Sequence, residues 1–134
     1  MFAAFSDPAK KRCWFAEGER GPIEEFTMNF RVGGYERTRS RFVEGTPFAG
    51  TMLTNETIYQ DIVPSHRIVM AYTMTLGEKR ISSSQATVEF LPTEKGTDLI
   101  FTEQAAFFEG ADGRQIREEG WRELLEQLAS ELAR

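Results

Sequence analysis

The chain has 134 residues and a formal net charge of −5, with 40% apolar and 28% charged residues. That length suits one domain around one core, and the acidic balance gives no general electrostatic affinity for nucleic acid or an anionic membrane. No stretch approaches the roughly 20 apolar residues of a membrane-spanning helix. Met1–Asp7 lacks the basic start and apolar run of a secretory signal, and the single Cys13 cannot close an intramolecular disulfide, so a cytoplasmic location is expected.

Ser6-Asp7-Pro8 reads as a helix start, a capping side chain followed by proline in the first turn. It predicts a short helix over Pro8–Phe15, with Trp14 and Phe15 near its end and a loop over 16–22. From residue 23 the period becomes two. Phe26, Met28, Phe30 and Val32 alternate with polar residues, which predicts a strand with one buried face. Gly33-Gly34 turns the chain into a second strand, Tyr35–Val43, polar on both faces. A third strand is predicted over 52–63, stopped by Pro64-Ser65, and a fourth over Arg67–Leu76. A fifth (Lys79–Leu91) and a sixth (Thr97–Phe108) flank the turn Pro92–Gly96. After Gly110-Ala111-Asp112-Gly113 the period shifts to 3.6. Ile116, Trp121, Leu124, Leu125, Leu128 and Leu132 then form the apolar stripe of a helix over Arg114–Ala133. The order predicts an α+β fold, one antiparallel sheet with a long C-terminal helix across it.

Motifs for the commoner chemistries are missing. One histidine and one cysteine, far apart, make no metal cluster, and no cofactor is expected. His66 falls in a turn. Cys13 has Lys10, Lys11 and Arg12 beside it, which favours a thiolate, but a helix cysteine without a role is the simpler reading. "RVGG" has too few glycines for a phosphate loop and reads as a hairpin turn. What remains is polar residues on faces that should be buried. Leu99, Phe101, Glu103, Ala105 and Phe107 share one parity. Val88 and Phe90 bring Ser82, Ser84 and Ala86 with them, and Ile68, Met70, Tyr72 and Met74 align on the fourth strand. If the hairpins pair in order, Tyr72, Ser82, Ser84 and Glu103 gather at one end of an otherwise apolar core. A pocket has that composition. The alternative is a set of side chains that satisfy one another, and a bulge would invert the parity of any strand.

The segments "SDPAKKRCWF", "MNFRVGGYER", "YQDIVPSHRIVMAYTM", "ISSSQATVEFLPTEKGTDLIFTEQ" and "REEGWRELLEQLASEL", in that order, resemble the family named after the activator of Hsp90 ATPase homologue 1, within the START-like or Bet v 1-like superfamily. The resemblance covers almost the whole chain. It implies a helix-grip fold, a curved antiparallel sheet wrapped round a long C-terminal helix with a cavity between them, which in this superfamily commonly holds apolar molecules. It also implies that a first strand and the start of the first helix would precede Met1. Their absence would leave an open sheet edge and homodimerisation through it. Relatives carry large apolar residues where this chain has Glu36 and Thr38, positions that the resemblance turns toward the cavity alongside Glu103. Two carboxylates there would repel one another and leave one available as an acid or base, or each would pair, with Tyr72 or with an arginine from Arg37, Arg39 or Arg41. Those three arginines alternate on one side and read as the solvated outer face.

These readings converge on a small-molecule binding protein. Trp14, Met70, Tyr72, Phe101, Phe107 and Trp121 would form its apolar wall, and Glu36, Thr38, Ser82, Ser84 and Glu103 its polar contacts, with Met28, Met70 and Met74 giving an adaptable lining. Two alternatives stand beside it: a protein-interaction module for a chaperone or stress-response partner, and an enzyme using Glu36 or Glu103 as general acid or base. No nucleophile–base–orienter set accompanies those carboxylates.

Overall fold

The computed structural model of the chain describes residues 1–16, 23–41 and 50–133. Six strands form one antiparallel sheet in sequence order: β1 (Ile23–Met28), β2 (Tyr35–Arg41), β3 (Met52–Val63), β4 (Arg67–Leu76), β5 (Lys79–Thr93) and β6 (Gly96–Phe107). Among the described residues are three α-helices, α1 (Ala3–Ser6), α2 (Pro8–Lys11) and α3 (Arg114–Leu132). The α+β class and the helix-grip layout are as the sequence predicts.

The N-terminal helix differs from its expectation after its first turn. Its start is as read: Asp7 caps α2 by accepting a hydrogen bond from the Ala9 amide at 2.9 Å, with Pro8 in the first turn. The helix then widens at once into a π-helical turn, Arg12–Ala16. The wider turn lets Lys11, Trp14 and Ala16 all face inward. Trp14 packs edge-on against Phe5 at 5.0 Å and donates its indole N–H to the Ala4 carbonyl at 2.8 Å.

The first strand is shorter than the alternation suggests. It ends at Met28, and Val32 is 57% exposed. Here the turn chemistry overrides the pattern. The Asn29 amide donates to the Tyr35 carbonyl and the Gly34 amide to the Arg31 carbonyl. A Cβ on Gly34 would fall 2.1 Å from the Asn29 oxygen and 2.7 Å from the Arg31 oxygen. The same turn reaches sideways to β3, because Gly33 donates to the Tyr59 carbonyl and the Tyr59 amide to Gly34. The segment 42–43, expected to continue β2, lies outside the described residues.

Irregularities in register keep the inner faces in phase. One lies at Gln60, between the pairs Tyr59–Met70 and Asp61–Val69. Another lies at Ile81, between Thr75–Arg80 and Met74–Ser82. The helix-facing rows include Thr38, Asn55, Met74, Ser82 and Phe107, and next to it Glu36, Thr57, Tyr72, Ser84 and Ala105. On α3 the expected stripe needs correction at both ends, and at its last position Leu132 is exposed. Ile116 is 61% exposed, and Arg117 takes the inward position. Arg117, Trp121, Leu124 and Leu128 recur at intervals of four, three and four, the spacing of one helical face.

Gly34→Ala is expected to cost on the order of 3 kcal/mol, because backbone oxygens fill the space. Gly33→Ala, with φ at +80° and open surroundings, should cost about 1 kcal/mol. Urea denaturation of the two variants checks the contrast.

Candidate functional site

Among the described residues, two polar clusters and a small cavity lie on the inner face of the sheet. The first cluster is built from α2, β2 and β3. Lys11, Glu36 and Tyr59 are 3%, 2% and 1% exposed. The Lys11 ammonium lies 2.7 Å from Glu36 Oε1 and 4.6 Å above the Phe15 ring. The Tyr59 hydroxyl donates to the same Glu36 oxygen, and Lys11 approaches that hydroxyl at 3.5 Å. Burial first, and then the Glu36 charge, pushes the Tyr59 phenol far up. A lysine–glutamate pair this deep is tolerated only because each charge has its counter-charge and further hydrogen bonds.

The second cluster joins α3 to the last three strands. Arg117 donates through Nε and Nη2 to the two Asp112 carboxylate oxygens, each at 2.8 Å. It also donates to Ser82 Oγ at 2.9 Å and to the Tyr72 hydroxyl at 3.3 Å, and it lies 3.6 Å from Glu103 Oε2. The Tyr72 hydroxyl accepts from Trp121 Nε1 at 3.2 Å and donates to Glu103 Oε1 at 2.6 Å. Burial and then the Glu103 charge push the Tyr72 phenol up to about 12. Burial by itself lowers the Arg117 guanidinium, but its partners, Asp112 foremost, outweigh that and leave it raised. The guanidinium also stacks 5.1 Å from the Phe107 ring. Arginine suits this position because its planar fork makes several directed bonds at once.

Between the clusters, where the π-helical turn meets β1 to β4, is a cavity of about 40 Å³. Phe15, Ala16, Ile23, Thr38, Ser40, Leu53, Asn55 and Met74 line it. Its walls are apolar apart from Thr38, Ser40 and Asn55, and no charged side chain takes part. The hydroxyl oxygens of Thr38 and of Ser84, the latter beside Tyr72 in the sheet, are buried without a hydrogen-bond partner.

The family described as "Activator of Hsp90 ATPase homolog 1-like protein" has a model that matches residues 1–133. The chain belongs to this family. Two of the similar solved structures are proteins of rhizobia. One, an uncharacterised protein of Rhizobium leguminosarum, is 37% identical with a TM-score of 0.90, over 98% of this chain and 84% of that one. The other, the Mll3558 protein of Rhizobium loti, is 46% identical with a TM-score of 0.82, over 97% and 85%. Protein CV1439 of Chromobacterium violaceum, at 24% identity and a TM-score of 0.70 over 96% and 84%, shares the fold. No curated protein matches.

Within this family fold, the residues singled out by sequence part into groups. Tyr72, Ser82, Glu103 and Trp121 meet through Arg117, with Phe101 stacked 4.2 Å from Trp121 and Phe107 over the guanidinium. Ser84 adjoins Tyr72. Thr38 stands on the cavity wall. Glu36 belongs to the other cluster. It is four strand spacings from Glu103, roughly 19 Å measured along the sheet at about 4.8 Å per spacing, so the two carboxylates do not share a site. Trp14 and Met70 lie in the core. Arg37, Arg39 and Arg41 occupy the outer face as expected, engaged with Glu56, Glu25 and Glu24 in turn. The cation at Glu103 is therefore Arg117 and not one of these three. Sequence reasoning missed Lys11, Tyr59, Asp112 and Arg117. The parity of Tyr59 with Thr57 was available, but nothing local marks Lys11 or Arg117 as buried. His66 is exposed in its turn, and exposed Cys13 lies 3.4 Å from the Ala9 carbonyl.

Removing one partner of the first cluster, by Lys11→Met or Glu36→Gln, should cost about 3–5 kcal/mol. The Lys11→Met/Glu36→Leu pair should recover a large part of that in denaturation experiments. In the second cluster, the raised Tyr72 keeps its proton in the folded state where the unfolded chain, near 10, gives it up. Its contribution to stability is thus complete below pH 10 and lost as pH rises toward about 12. Urea midpoints across that window should fall, and Tyr72→Phe should flatten the fall.

Proposed function

We propose that the chain is a small-molecule binding protein that holds a neutral amphipathic ligand between the sheet and the helical elements, with its polar end at Thr38, Ser40 and Asn55. The observation that carries this reading is a mostly apolar cavity lined by Thr38, Ser40 and Asn55, with the Thr38 hydroxyl buried next to it and without a hydrogen-bond partner. A buried hydroxyl without a partner costs roughly 1–3 kcal/mol, which a ligand or water in the cavity would recover. Carboxylates and cations on the inner face are already paired in the two clusters, so the lining favours a hydroxyl, carbonyl or amide head over a charged one.

At about 40 Å³ the cavity admits two or three waters, on the order of 15 Å³ each. Ligand pockets are typically 300 Å³ or more. The apolar body of the ligand is accommodated by displacement of Met74, an unbranched side chain with several rotamers, and of the half-buried Phe15. The family name refers to activation of the Hsp90 ATPase, and none of the geometry above speaks for that activity in this chain.

Titration with 1-decanol, decanoate and decylamine, followed by two-dimensional amide NMR, tests the proposal. Saturable shifts at Thr38, Asn55 and Met74 are expected with the alcohol and weaker ones with the charged analogues. Thr38→Val should weaken alcohol binding about tenfold, equivalent to one hydrogen bond. A folded protein with no saturable shift from any of the three overturns the reading.

A further inference from the structure

Among the described residues on the inner face of the sheet, two side-chain hydroxyls are buried without a partner, those of Thr38 and Ser84. Thr38 adjoins the small cavity. Ser84 is 6% exposed, and its neighbours explain why it is left over. It pairs with Tyr72 on β4 and with Ala105 on β6, and Ser82 and Ala86 flank it on the same face of β5. The Tyr72 hydroxyl accepts from Arg117 and Trp121 and donates to Glu103, which uses its one proton and both lone pairs. Ser82 Oγ is held by Arg117 Nη2. The two alanine side chains have no polar atom to offer. Ser82, Ala86 and Ala105 are also short, so the floor of the sheet is low around Ser84.

Met74 stands between this position and the cavity. It lines the cavity, it pairs with Ser82 on β5, and Ser84 lies diagonally from it. Thr38, Asn55, Met74 and Ser82 form one row across the sheet. Ser84 is therefore three strand spacings and two residues from Thr38, roughly 16 Å measured along the sheet at about 4.8 Å per spacing and 3.4 Å per residue.

We propose that Ser84 is a second anchor for the ligand of the cavity, reached when Met74 moves aside, and that the ligand is accordingly linear, uncharged and polar at both ends, as an α,ω-diol or an ω-hydroxy amide is. The inference rests on the reading of the cavity as a ligand site. The same movement of Met74 that admits the apolar body opens the way to Ser84. Each unpartnered hydroxyl carries a desolvation cost that a hydrogen bond to the ligand recovers, and a ligand with one polar end recovers only one of them. A charge at the second end is disfavoured, since an anion would meet Glu103 and a cation Arg117 in the cluster around Tyr72.

The affinities of 1-decanol and 1,10-decanediol for the wild type and for Ser84→Ala, read from saturable amide shifts, test the proposal. The ratio of diol to decanol affinity is the readout, because comparing it between the two proteins cancels the extra desolvation of the second hydroxyl. It should fall about tenfold in Ser84→Ala, equivalent to one hydrogen bond. A ratio that the substitution leaves unchanged overturns the second anchor while the cavity reading stands, and so does a wild type that binds decanol and not the diol. A folded wild type that binds neither overturns both readings. If Ser84→Ala fails to fold, nuclear Overhauser contacts from the carbinol protons of the diol bound to the wild type decide: contacts to both Thr38 and Ser84 support the proposal, and contacts to Thr38 alone overturn it.

Discussion

The Arg117 guanidinium sits where α3 crosses the last three strands, and much of the inner face is arranged around it. A helix that lies on a sheet usually presents an apolar stripe, so a cation in that stripe must find every partner inside the protein. Arg117 reaches Asp112 in the loop before its own helix, Ser82 on β5 and Tyr72 on β4, and it lies close to Glu103 on β6. One side chain therefore fixes the start of α3 against strands that are neighbours in the sheet but distant in sequence. The cost of burying the charge is offset only while the whole set is assembled.

The Lys11–Glu36–Tyr59 cluster applies the same physics at the other end of the chain. It ties α2 to β2 and β3, and through α2 it places the π-helical turn whose Phe15 and Ala16 close one side of the small cavity. Glu36 is held by Lys11 and Tyr59, and Glu103 by Tyr72 and by Arg117, which it shares with Asp112. This division of charges leaves the cavity between the clusters lined by neutral groups. The inner face thus has two polar anchors that hold the fold and an intervening site whose hydroxyl has nothing to bond.

The strands were largely legible because a sheet packed on one face writes a period of two into the sequence, and glycine and proline mark its turns. The third and fourth strands have the limits that alternation and turn residues suggest. Departures came where another force outranked the pattern. Val32 continues the alternation but lies inside a turn that Gly34 makes compulsory. Ile116 continues the apolar stripe, yet the helix is rotated to bring Arg117 onto the sheet. Of the candidate site, the meeting of Tyr72, Ser82 and Glu103 followed from strand parity alone. The partners of that trio did not, since Arg117 and Asp112 lie outside the sheet and their parity carries no information about it.

The sequence by itself determined the order of elements, the faces of most strands, the α+β class and the presence of polar residues among apolar ones on the buried side. These are local properties, set by side-chain period and turn chemistry within a few residues. Which charge meets which was decided only by the tertiary structure. A lysine or arginine has a long flexible stem that serves equally well on a surface or in a core, so its burial depends on a counter-charge brought near by folding. The size of the cavity was decided in the same way, by how closely the π-helical turn and the side chains of Phe15 and Met74 settle on the sheet.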